Sequence, residues 1–569
     1  MSVTSQIRAR VASLRERPNA TVLIIGGGIN GVGTFRDLAL QGIDVALIER
    51  EDYCSGASGA SSHMIHGGIR YLENGEFRLV KESVVERNNL LKIAPHYVKP
   101  LQTTIPIFST FSGILNAPLR FLTHKSGAPQ ERGAALIKAG LSIYDSFSRI
   151  GGSVPKHEFL GAEKSRELFP QMRDDVRYTA TYFDASVHNP ERLTLDVLND
   201  GLATGDKARA SNYVTAVGFS DAGVRLKDEI SGEEFDFKAD VVLNVSGAWT
   251  DQTNEAMDDE TRYMGGTKGS HIVLDHPELL AATRGREIFF EHTDGRIVLI
   301  YPMGDRVLVG TTDLDDDMRE QAVCTDEEIE YFFELVKHVF PSIPVTRDQI
   351  VYTFSGVRPL PRHDDTAPGF VSRDYRFEKR DQHGAKVISV VGGKWTTFRA
   401  LSEHLTNDVL ELLGKEREVS TLGMYIGGGE GFPANEQAVR AWIAARADDT
   451  IGADRYAVLL ERYGLRADTV ADYLRAEKDE LIAGSPELSV RELDFLLEHE
   501  QVEHVADILI RRTSLAFRGL ATGDMLEAIL DAFAAAKGLS EAEKDAERAH
   551  VLDVFSERHR IDLETGALA

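Results

Sequence analysis

The sequence predicts an α/β protein with a nucleotide-binding Rossmann-like domain, a β-rich region and a C-terminal all-α domain. The prediction depends on a βαβ pattern near the N-terminus, β-branched runs between turns over residues 177–374, and apolar residues at helical spacing after residue 434. The glycine-rich stretch 427–433 separates the last two patterns. We therefore expect an N-terminal extension at residues 1–20, a ligand-binding region at 21–425 and a helical domain at 434–569.

The composition limits the partners that this chain can bind. Its 569 residues contain 90 acidic and 64 basic side chains, which gives a formal charge of −26. A chain this acidic lacks the basic surface that nucleic-acid binding requires, so we expect no nucleic-acid partner. An anionic substrate would be repelled unless lysine and arginine reverse the charge locally inside a pocket.

The sequence also indicates the compartment. The two cysteines, Cys54 and Cys324, form no Cys-x-x-Cys pair, so we expect neither a disulfide framework nor a metal site. The N-terminus lacks the apolar segment of a secretory signal. We find no run of 18 strongly apolar residues, so we expect no membrane-spanning helix. These features favour a reducing, cytoplasmic location and leave peripheral membrane attachment open.

A dinucleotide-binding motif lies at the start of the βαβ unit. The strand predicted at Thr21–Ile25 leads directly into G-x-G-x-x-G, whose glycines are Gly26, Gly28 and Gly31. Glycines allow the backbone to approach a pyrophosphate at the N-terminus of the helix that follows. Glu49 ends the second strand, 23 positions after the first glycine, where its carboxylate can accept a ribose hydroxyl. The motif alone does not separate FAD from NAD.

Four further segments place a cation or a histidine beside glycine or proline. They contain His66 and Arg70, Lys268 and His271, Arg358, and Lys394. A histidine can act as a base toward a hydroxyl, and an arginine can hold an anion in bidentate fashion. Taken singly, His66 and Arg70 are better explained as a hydrogen-bonded structural histidine and a surface arginine, and composition alone does not bring the four segments together in space.

The order of these motifs resembles that of a known family. Gly26–Gly31, Ser61-Ser62-His63-Met64-Ile65-His66-Gly67-Gly68-Ile69-Arg70-Tyr71-Leu72, Lys268–His271, Gly310-Thr311-Thr312-Asp313, Ser355-Gly356-Val357-Arg358-Pro359 and Gly392-Gly393-Lys394 occur in sequence. The chain closely resembles the FAD-dependent, quinone-linked glycerol-3-phosphate dehydrogenases of the D-amino-acid-oxidase-like flavoproteins. The resemblance extends into the helical tail and implies that the FAD-binding and substrate-binding parts are interleaved.

The resemblance implies roles for individual residues. FAD is expected to contact Gly26, Gly28, Gly31, Glu49, Ser61, Ser62, Val214, Gly392 and Gly393. The substrate pocket is expected to contain Arg70, Arg358 and Arg373 for binding, and His66, His271 and Lys394 for catalysis, with the identity of the base left open. The implied reaction oxidises glycerol 3-phosphate to dihydroxyacetone phosphate by hydride transfer to FAD, with a quinone as final acceptor.

Other functions remain open at this stage. They are an oxidase that passes electrons from the same substrate to oxygen, a flavin amine or amino-acid oxidase, and a non-catalytic adaptor. The chain departs from the family at Trp395, where we expect a smaller aliphatic residue, and in a longer segment at 101–148.

A quinone acceptor implies attachment to the inner face of the cell membrane. The candidate segment is Leu101–Lys125, with basic residues near the head groups; the alternative is an ordinary buried loop. The expected apolar anchors are Ile105, Ile107, Phe108, Phe111, Ile114, Leu115 and Phe121, and the basic residues are Arg120 and Lys125. A homodimer is also left open, and we expect a structural or docking role for the helical tail.

Overall fold

The computed structural model describes residues 9–68, 76–109, 134–148, 154–292, 296–362 and 374–569. The expected site residues Arg70 and Arg373, and most of the candidate membrane segment, lie outside these ranges. Within them, no helix is long and apolar enough to cross a bilayer.

The N-terminal βαβ unit forms as the sequence predicts. Strand β1 covers Asn19–Ile25, helix α2 covers Ile29–Leu40 and strand β2 covers Val45–Ile48. The strands pair in parallel and are almost completely buried, because helices and neighbouring strands cover both faces. A short helix α1 at Ala9–Glu16, inside the expected extension, packs beside them.

The described residues form two large sheets. The first has eight strands, with β17-β18-β10-β1-β2-β7 in order and β8 and β9 attached through β10. The second has ten, with β15-β11-β14-β13-β12-β4-β6-β3 in order, β16 paired with β11 and β5 paired with β6. The strands not yet given are β3 Met64–Ile65, β4 Val98–Ile107, β5 Glu158–Gly161, β6 Tyr178–Val187, β7 Ala208–Ser211, β8 Val214–Ser220, β9 Gly223–Asp228, β10 Glu234–Asn244, β11 Thr267–Leu274, β12 Glu287–Glu291, β13 Ile297–Met303, β14 Arg306–Gly310, β15 Leu314–Asp315, β16 Ile350–Arg358, β17 Arg376–Gln382 and β18 Ala385–Val391.

The two sheets are interleaved along the chain, which confirms the predicted class of fold. Along the chain, strand β10 comes after β6 and before β11, which both belong to the second sheet. It nevertheless pairs in parallel with β1 and β18 of the first sheet. The helices of this region are α3 Phe77–Ile93, α4 Ala134–Ser148, α5 Ala162–Leu168, α6 Pro190–Leu202, α7 Thr250–Ala256, α8 Pro277–Ala282, α9 Asp326–Val339 and α10 Phe398–Leu412.

The C-terminal part is helical and shares a hydrophobic core with the second sheet. Its helices pack against inward-facing residues of β13, β14 and β16, including Tyr352 and Phe354. They are α11 Glu436–Ala444, α12 Ala453–Tyr463, α13 Ala467–Arg475, α14 Val490–His499, α15 Gly523–Lys537 and α16 Glu541–Asp553, with π-helical turns at Asp507–Arg512 and Val554–Arg558 and a small hairpin of β19 Ile561–Asp562 and β20 Ala567–Leu568.

The described part of the candidate membrane segment is not a free anchor, which corrects that expectation. Residues 101–107 belong to β4, and the Ile107 side chain is buried against α4. Ile105 packs on the same cluster. The guanidinium of Arg173 lies 4.2 Å from the ring centre of Phe108, which packs on the second sheet. The remaining expected anchors fall in 110–125, outside the described residues.

Candidate active site

The G-x-G-x-x-G loop is held tightly at both ends and is open in the middle. A Cβ on Gly26, whose φ is +119°, would lie 2.6 Å from the Val245 carbonyl oxygen, and one on Gly31 would lie 1.9 Å from the Gly26 carbonyl oxygen. Neither position can carry a side chain. At Gly28, which precedes the first turn of α2, the nearest atom to an added Cβ is the Ser58 hydroxyl oxygen at 3.1 Å. The loop is therefore open where a pyrophosphate would approach.

Glu49 lies beside this loop at the end of β2. Its carboxylate accepts hydrogen bonds from the backbone N–H groups of Gly27 at 2.6 Å and Glu51 at 3.0 Å. Burial raises the pKa of the carboxyl and these two amides lower it. The backbone N–H of Val214 donates to the Glu49 carbonyl at 2.7 Å. Two fixed amides thus orient the carboxylate expected to bind a ribose.

The other wall of the crevice comes from the end of β18. Gly392 and Gly393 both have positive φ, at +83° and +102°. A Cβ on Gly393 would lie 3.2 Å from the Asn30 amide nitrogen at the start of α2. The indole N–H of Trp395, the residue that departs from the family pattern, donates to the Ser58 carbonyl at 3.0 Å. The glycine turn therefore faces the dinucleotide loop across the crevice.

Three further residues of this crevice were not found from the sequence. Gly247, with φ of +66°, follows β10 and would meet no atom within 4 Å if it carried a Cβ. The side-chain carbonyl oxygen of Asn30 is buried and has no hydrogen-bond partner among the described residues. The third residue is Ser58, whose hydroxyl accepts from the Ile29 N–H at 3.0 Å. Ligands bind at the carboxyl ends of parallel strands, so the position of Gly247 after β10 was the signal available.

These features fit FAD. The open backbone at Gly28 and Gly247 leaves room for phosphate and ribityl groups, and the N-terminus of α2 favours an anion. The oriented Glu49 carboxylate suits the ribose, and the unpartnered Asn30 oxygen offers an acceptor to a ligand. The hydroxyl of Ser61, one of the expected FAD contacts, accepts from the His63 N–H at 3.3 Å and keeps its own hydrogen for a ligand.

His271 is enclosed on β11, next to Ser62. Its Nε2 lies 2.8 Å from the Ser62 hydroxyl, and its ring stacks on Phe354 with centres 4.7 Å apart. A Cβ on Gly310 would lie 2.2 Å from the ring, so that glycine makes space for the imidazole. Burial, with help from nearby Arg358, holds the pKa of His271 well below its usual value. The imidazole is therefore neutral, and its buried Nδ1 has no hydrogen-bond partner among the described residues.

Arg358 ends β16 on the neighbouring strand, four pairs along the ladder from His271. One guanidinium nitrogen lies 3.1 Å from an Asp313 carboxylate oxygen. The other donates to the Thr311 hydroxyl at 3.0 Å and to the Thr312 carbonyl at 2.9 Å. Arg358 therefore forms an ion pair with Asp313. This pair fixes the direction of the Arg358 guanidinium, which remains one quarter exposed.

Lys394 follows the Gly392–Gly393 turn and lies at depth in the crevice. Its ammonium contacts the Ser83 hydroxyl on α3. Burial lowers the pKa of Lys394 to about 7, opposed by the surrounding carboxylates, of which Glu82 is the largest contributor. At neutral pH the amine is therefore available in its unprotonated form.

His66 lies on the loop after β3 and is half-buried. The N–H of the next residue, Gly67, donates to an Asp184 carboxylate oxygen at 3.0 Å. Asp184 also acts on Lys394 electrostatically. Ser62 and His66 flank strand β3, which packs against the turn that follows Lys394. The structure thus brings His271, His66 and Lys394 around one short strand.

A separate cavity of about 550 Å³ lies between the second sheet and the C-terminal helices. Aromatic residues such as Phe354 and Phe517 line it, together with the partly buried Glu191. Burial raises the pKa of Glu191 to about 7. None of the expected site residues that the structure describes lines this cavity.

The interleaved sheets, the glycine-lined crevice and the buried bases at its end define a dinucleotide-binding oxidoreductase. The model of FAD-dependent oxidoreductases matches residues 21–393, and the C-terminal domain of alpha-glycerophosphate oxidase matches residues 419–544. The chain belongs to the FAD-dependent oxidoreductase family, and FAD is its cofactor.

Its relatives include glycerol-3-phosphate dehydrogenases, which confirms the resemblance drawn from the motifs. The chain is 33% identical to glycerol-3-phosphate dehydrogenase of Synechocystis sp. over 87% of its length and 88% of the relative's. It is 31% identical to the aerobic glycerol-3-phosphate dehydrogenase of Escherichia coli over 86% and 93% of the two chains. The solved structure of glycerol-3-phosphate dehydrogenase from Bacillus halodurans with FAD shares the fold, with a TM-score of 0.75, 23% identity and 98% coverage of both chains.

Proposed function

We propose that this protein oxidises sn-glycerol 3-phosphate to dihydroxyacetone phosphate by hydride transfer to FAD and passes the electrons to a quinone. The observation that carries the proposal is the grouping of a neutral imidazole, His271, with an oriented guanidinium, Arg358, in an otherwise acidic chain. A neutral imidazole near a fixed cation suits a substrate that has both a hydroxyl oxygen to orient and a phosphate to bind. The names of the relatives support this substrate.

In the proposed mechanism, Arg358 binds the phosphate, together with Arg70 and Arg373 as the family resemblance implies. Its guanidinium is held by Asp313, Thr311 and Thr312 and is one quarter exposed, so it can add a charge-assisted contact with the phosphate. The Nδ1 atom of His271 has no hydrogen-bond partner among the described residues. With the Ser62 hydroxyl donating to Nε2, the ring proton lies on Nδ1, which can donate to the C2 oxygen and orient it while Lys394 takes the hydroxyl proton.

Lys394 is the proposed proton acceptor. A general base works best when its pKa is near the operating pH, and the pKa of Lys394 is about 7 whereas that of His271 lies far lower. His66 stays a candidate for substrate contact beside the Asp184 network. FAD, when bound, supplies the hydride acceptor.

The test uses purified flavoprotein under anaerobic conditions. Glycerol 3-phosphate should bleach the oxidised flavin absorbance, and plain glycerol should do so only slowly, because it lacks the phosphate that Arg358 binds. Erythritol phosphate should be included, because a D-erythritol 1-phosphate dehydrogenase of Brucella abortus is 32% identical over 68% of this chain. Bleaching by amino acids but not by glycerol 3-phosphate would contradict the proposal.

The acceptor is tested separately. Reoxidation of the reduced protein by a water-soluble quinone should be much faster than reoxidation by oxygen, with little peroxide formed. Fast reoxidation by oxygen with equal amounts of peroxide would make the protein an oxidase.

We also propose peripheral attachment to the inner face of the membrane through residues 110–125. The support is the sequence pattern of that stretch, since β4 contains the residues before it. The triple variant Phe111→Ser, Ile114→Ser, Leu115→Ser should no longer sediment with vesicles and should keep its dye-linked turnover. Unchanged sedimentation would remove this stretch as the anchor.

A further inference from the structure

A single buried carboxylate, Asp52, receives four donors next to the FAD-binding crevice. Arg512 donates to its two oxygens at 2.6 and 2.9 Å, and the Arg511 Nε donates at 2.6 Å. The Asn212 side chain donates at 2.8 Å. Asp52 and Arg512 are completely buried. The two arginines belong to the C-terminal part, whereas Asp52 lies three residues after Glu49.

The segment 52–54 connects this carboxylate directly to the dinucleotide loop. The Cys54 N–H donates to the Gly27 carbonyl at 3.1 Å. The Tyr53 ring lies 2.7 Å from the position of a Cβ on Gly27. Glu49 accepts from the N–H of the same glycine. Both backbone groups of Gly27, in the middle of the loop, are therefore hydrogen-bonded: its N–H to Glu49 and its carbonyl to Cys54. Both partners belong to the stretch 49–54.

The two arginines reach Asp52 together because they lie in a π-helical turn, Asp507–Arg512. Adjacent residues of a regular α-helix point about 100° apart, whereas the wider turn lets both side chains reach one carboxylate. Asp507 fixes the turn: it accepts from Arg511 at 2.6 Å and from the Tyr213 hydroxyl at 2.7 Å. Single π turns recur at functional sites, and this one carries both arginines that contact Asp52.

We propose that Arg511 and Arg512 of the C-terminal domain are positioning residues for FAD, acting through Asp52 to hold the dinucleotide loop in its binding shape. Loss of their geometry loosens the stretch 49–54, and with it Glu49 and Gly27. The helical domain thereby contributes to cofactor affinity although it supplies no residue of the crevice described above.

The test compares two conservative variants with a matched control. Arg512→Lys and Arg511→Lys keep the charge and lose the bidentate or Nε geometry. The control, Arg466→Met, breaks a different ion pair between the C-terminal domain and α6, that of Arg466 with Asp196. This pair does not contact the stretch 49–54. FAD release from each holoprotein is followed by the fluorescence of free FAD, and the Kd for rebinding is measured with circular dichroism to confirm folding.

We expect the Kd for FAD to rise about tenfold or more in Arg512→Lys, because residues that share one network of hydrogen bonds and ion pairs are energetically coupled. Substrate KM at saturating FAD should stay within about twofold, and excess FAD should restore kcat. Arg466→Met should lower the thermal midpoint and leave Kd unchanged. Hydrogen exchange should show faster exchange of the Cys54 amide in the lysine variants only.

Two outcomes would overturn the proposal. Folded lysine variants with the FAD affinity of the original protein would show that Asp52 does not act on the loop. An equal loss of affinity in Arg466→Met would show that the domain contact affects FAD only through general stability. If Arg512→Lys does not fold, Arg511→Lys decides between these results, because it leaves the pair of Asp52 and Arg512 in place.

Discussion

Replacement of Lys394 by methionine should stabilise the protein while abolishing efficient turnover. In the folded protein burial lowers the pKa of this lysine from 10.5 to about 7. At about 1.4 kcal/mol per pKa unit, this lowering means that the ammonium form destabilises the folded protein by at most about 5 kcal/mol. Relaxation and water penetration reduce such penalties, so we expect a gain of about 2–3 kcal/mol in the free energy of unfolding at pH 6.

The gain should depend on pH with a definite sign. Below pH 7 the lysine is protonated in both folded and unfolded chains, so the folded protein bears the full penalty. Between pH 7 and 10.5 the unfolded chain holds a proton that the folded chain has released, and stability rises with pH. The advantage of Lys394→Met should therefore be largest near pH 6 and should shrink steadily toward pH 10.

Urea unfolding of flavin-free protein at pH 6, 8 and 9.5 measures this difference. Lys537→Met is the matched control, because the Lys537 ammonium is buried against Glu503 at 2.9 Å and its removal should destabilise the protein. If Lys394→Met is less stable than the original protein at pH 6, or if its advantage does not change with pH, the reasoning about this buried amine is wrong. A kcat/KM profile should independently show an acid limb near pH 7 that involves Lys394.

Four other substitutions give distinct expectations. Gly28→Val should yield folded protein without flavin, whereas Gly31→Ala should fail to fold because its Cβ meets a backbone oxygen at 1.9 Å; absorbance at flavin wavelengths and circular dichroism separate the two. Arg358→Ala should lower kcat/KM for glycerol 3-phosphate about 10- to 150-fold and leave slow turnover of glycerol unchanged, for a loss of about 1.5–3 kcal/mol; equal loss for both substrates would place Arg358 at the reacting oxygen. Ser62→Ala should lower kcat about fivefold by freeing the His271 ring, at a cost of about 1 kcal/mol, with flavin content unchanged; loss of flavin would instead make Ser62 a cofactor contact.

The parts of the fold that follow local rules could be predicted from the sequence. The strand expected at Thr21–Ile25 is β1, Asn19–Ile25, and the second strand, expected to end at Glu49, is β2, Val45–Ile48. Both are short β-branched runs next to glycine or a turn, so neighbours in sequence determine them. The glycine motif and its acidic partner were located for the same reason.

Other parts depend on contacts that no local pattern reports. The stretch 101–107 was predicted as part of a membrane segment, with a buried loop as the alternative, yet it lies in strand β4, which contains Pro100 and Pro106. Both prolines lie outside the pair Thr103–Thr104 that bonds to β12, so no N–H is missing on that side. The partners of Asp52 were equally hidden, because Arg511 and Arg512 are ordinary charges until the chain folds.

The ion pair between Asp52 and Arg512 joins residues 460 positions apart. A chain made from its N-terminus exposes the βαβ unit first, and the arginines that complete the surroundings of Asp52 emerge only after nine tenths of the synthesis. Contacts of such long sequence separation form late in folding. Stable capture of the flavin is therefore an event of the finished polypeptide, and a nascent or prematurely ended chain would expose an acidic, half-built crevice to the quality-control machinery of the cell.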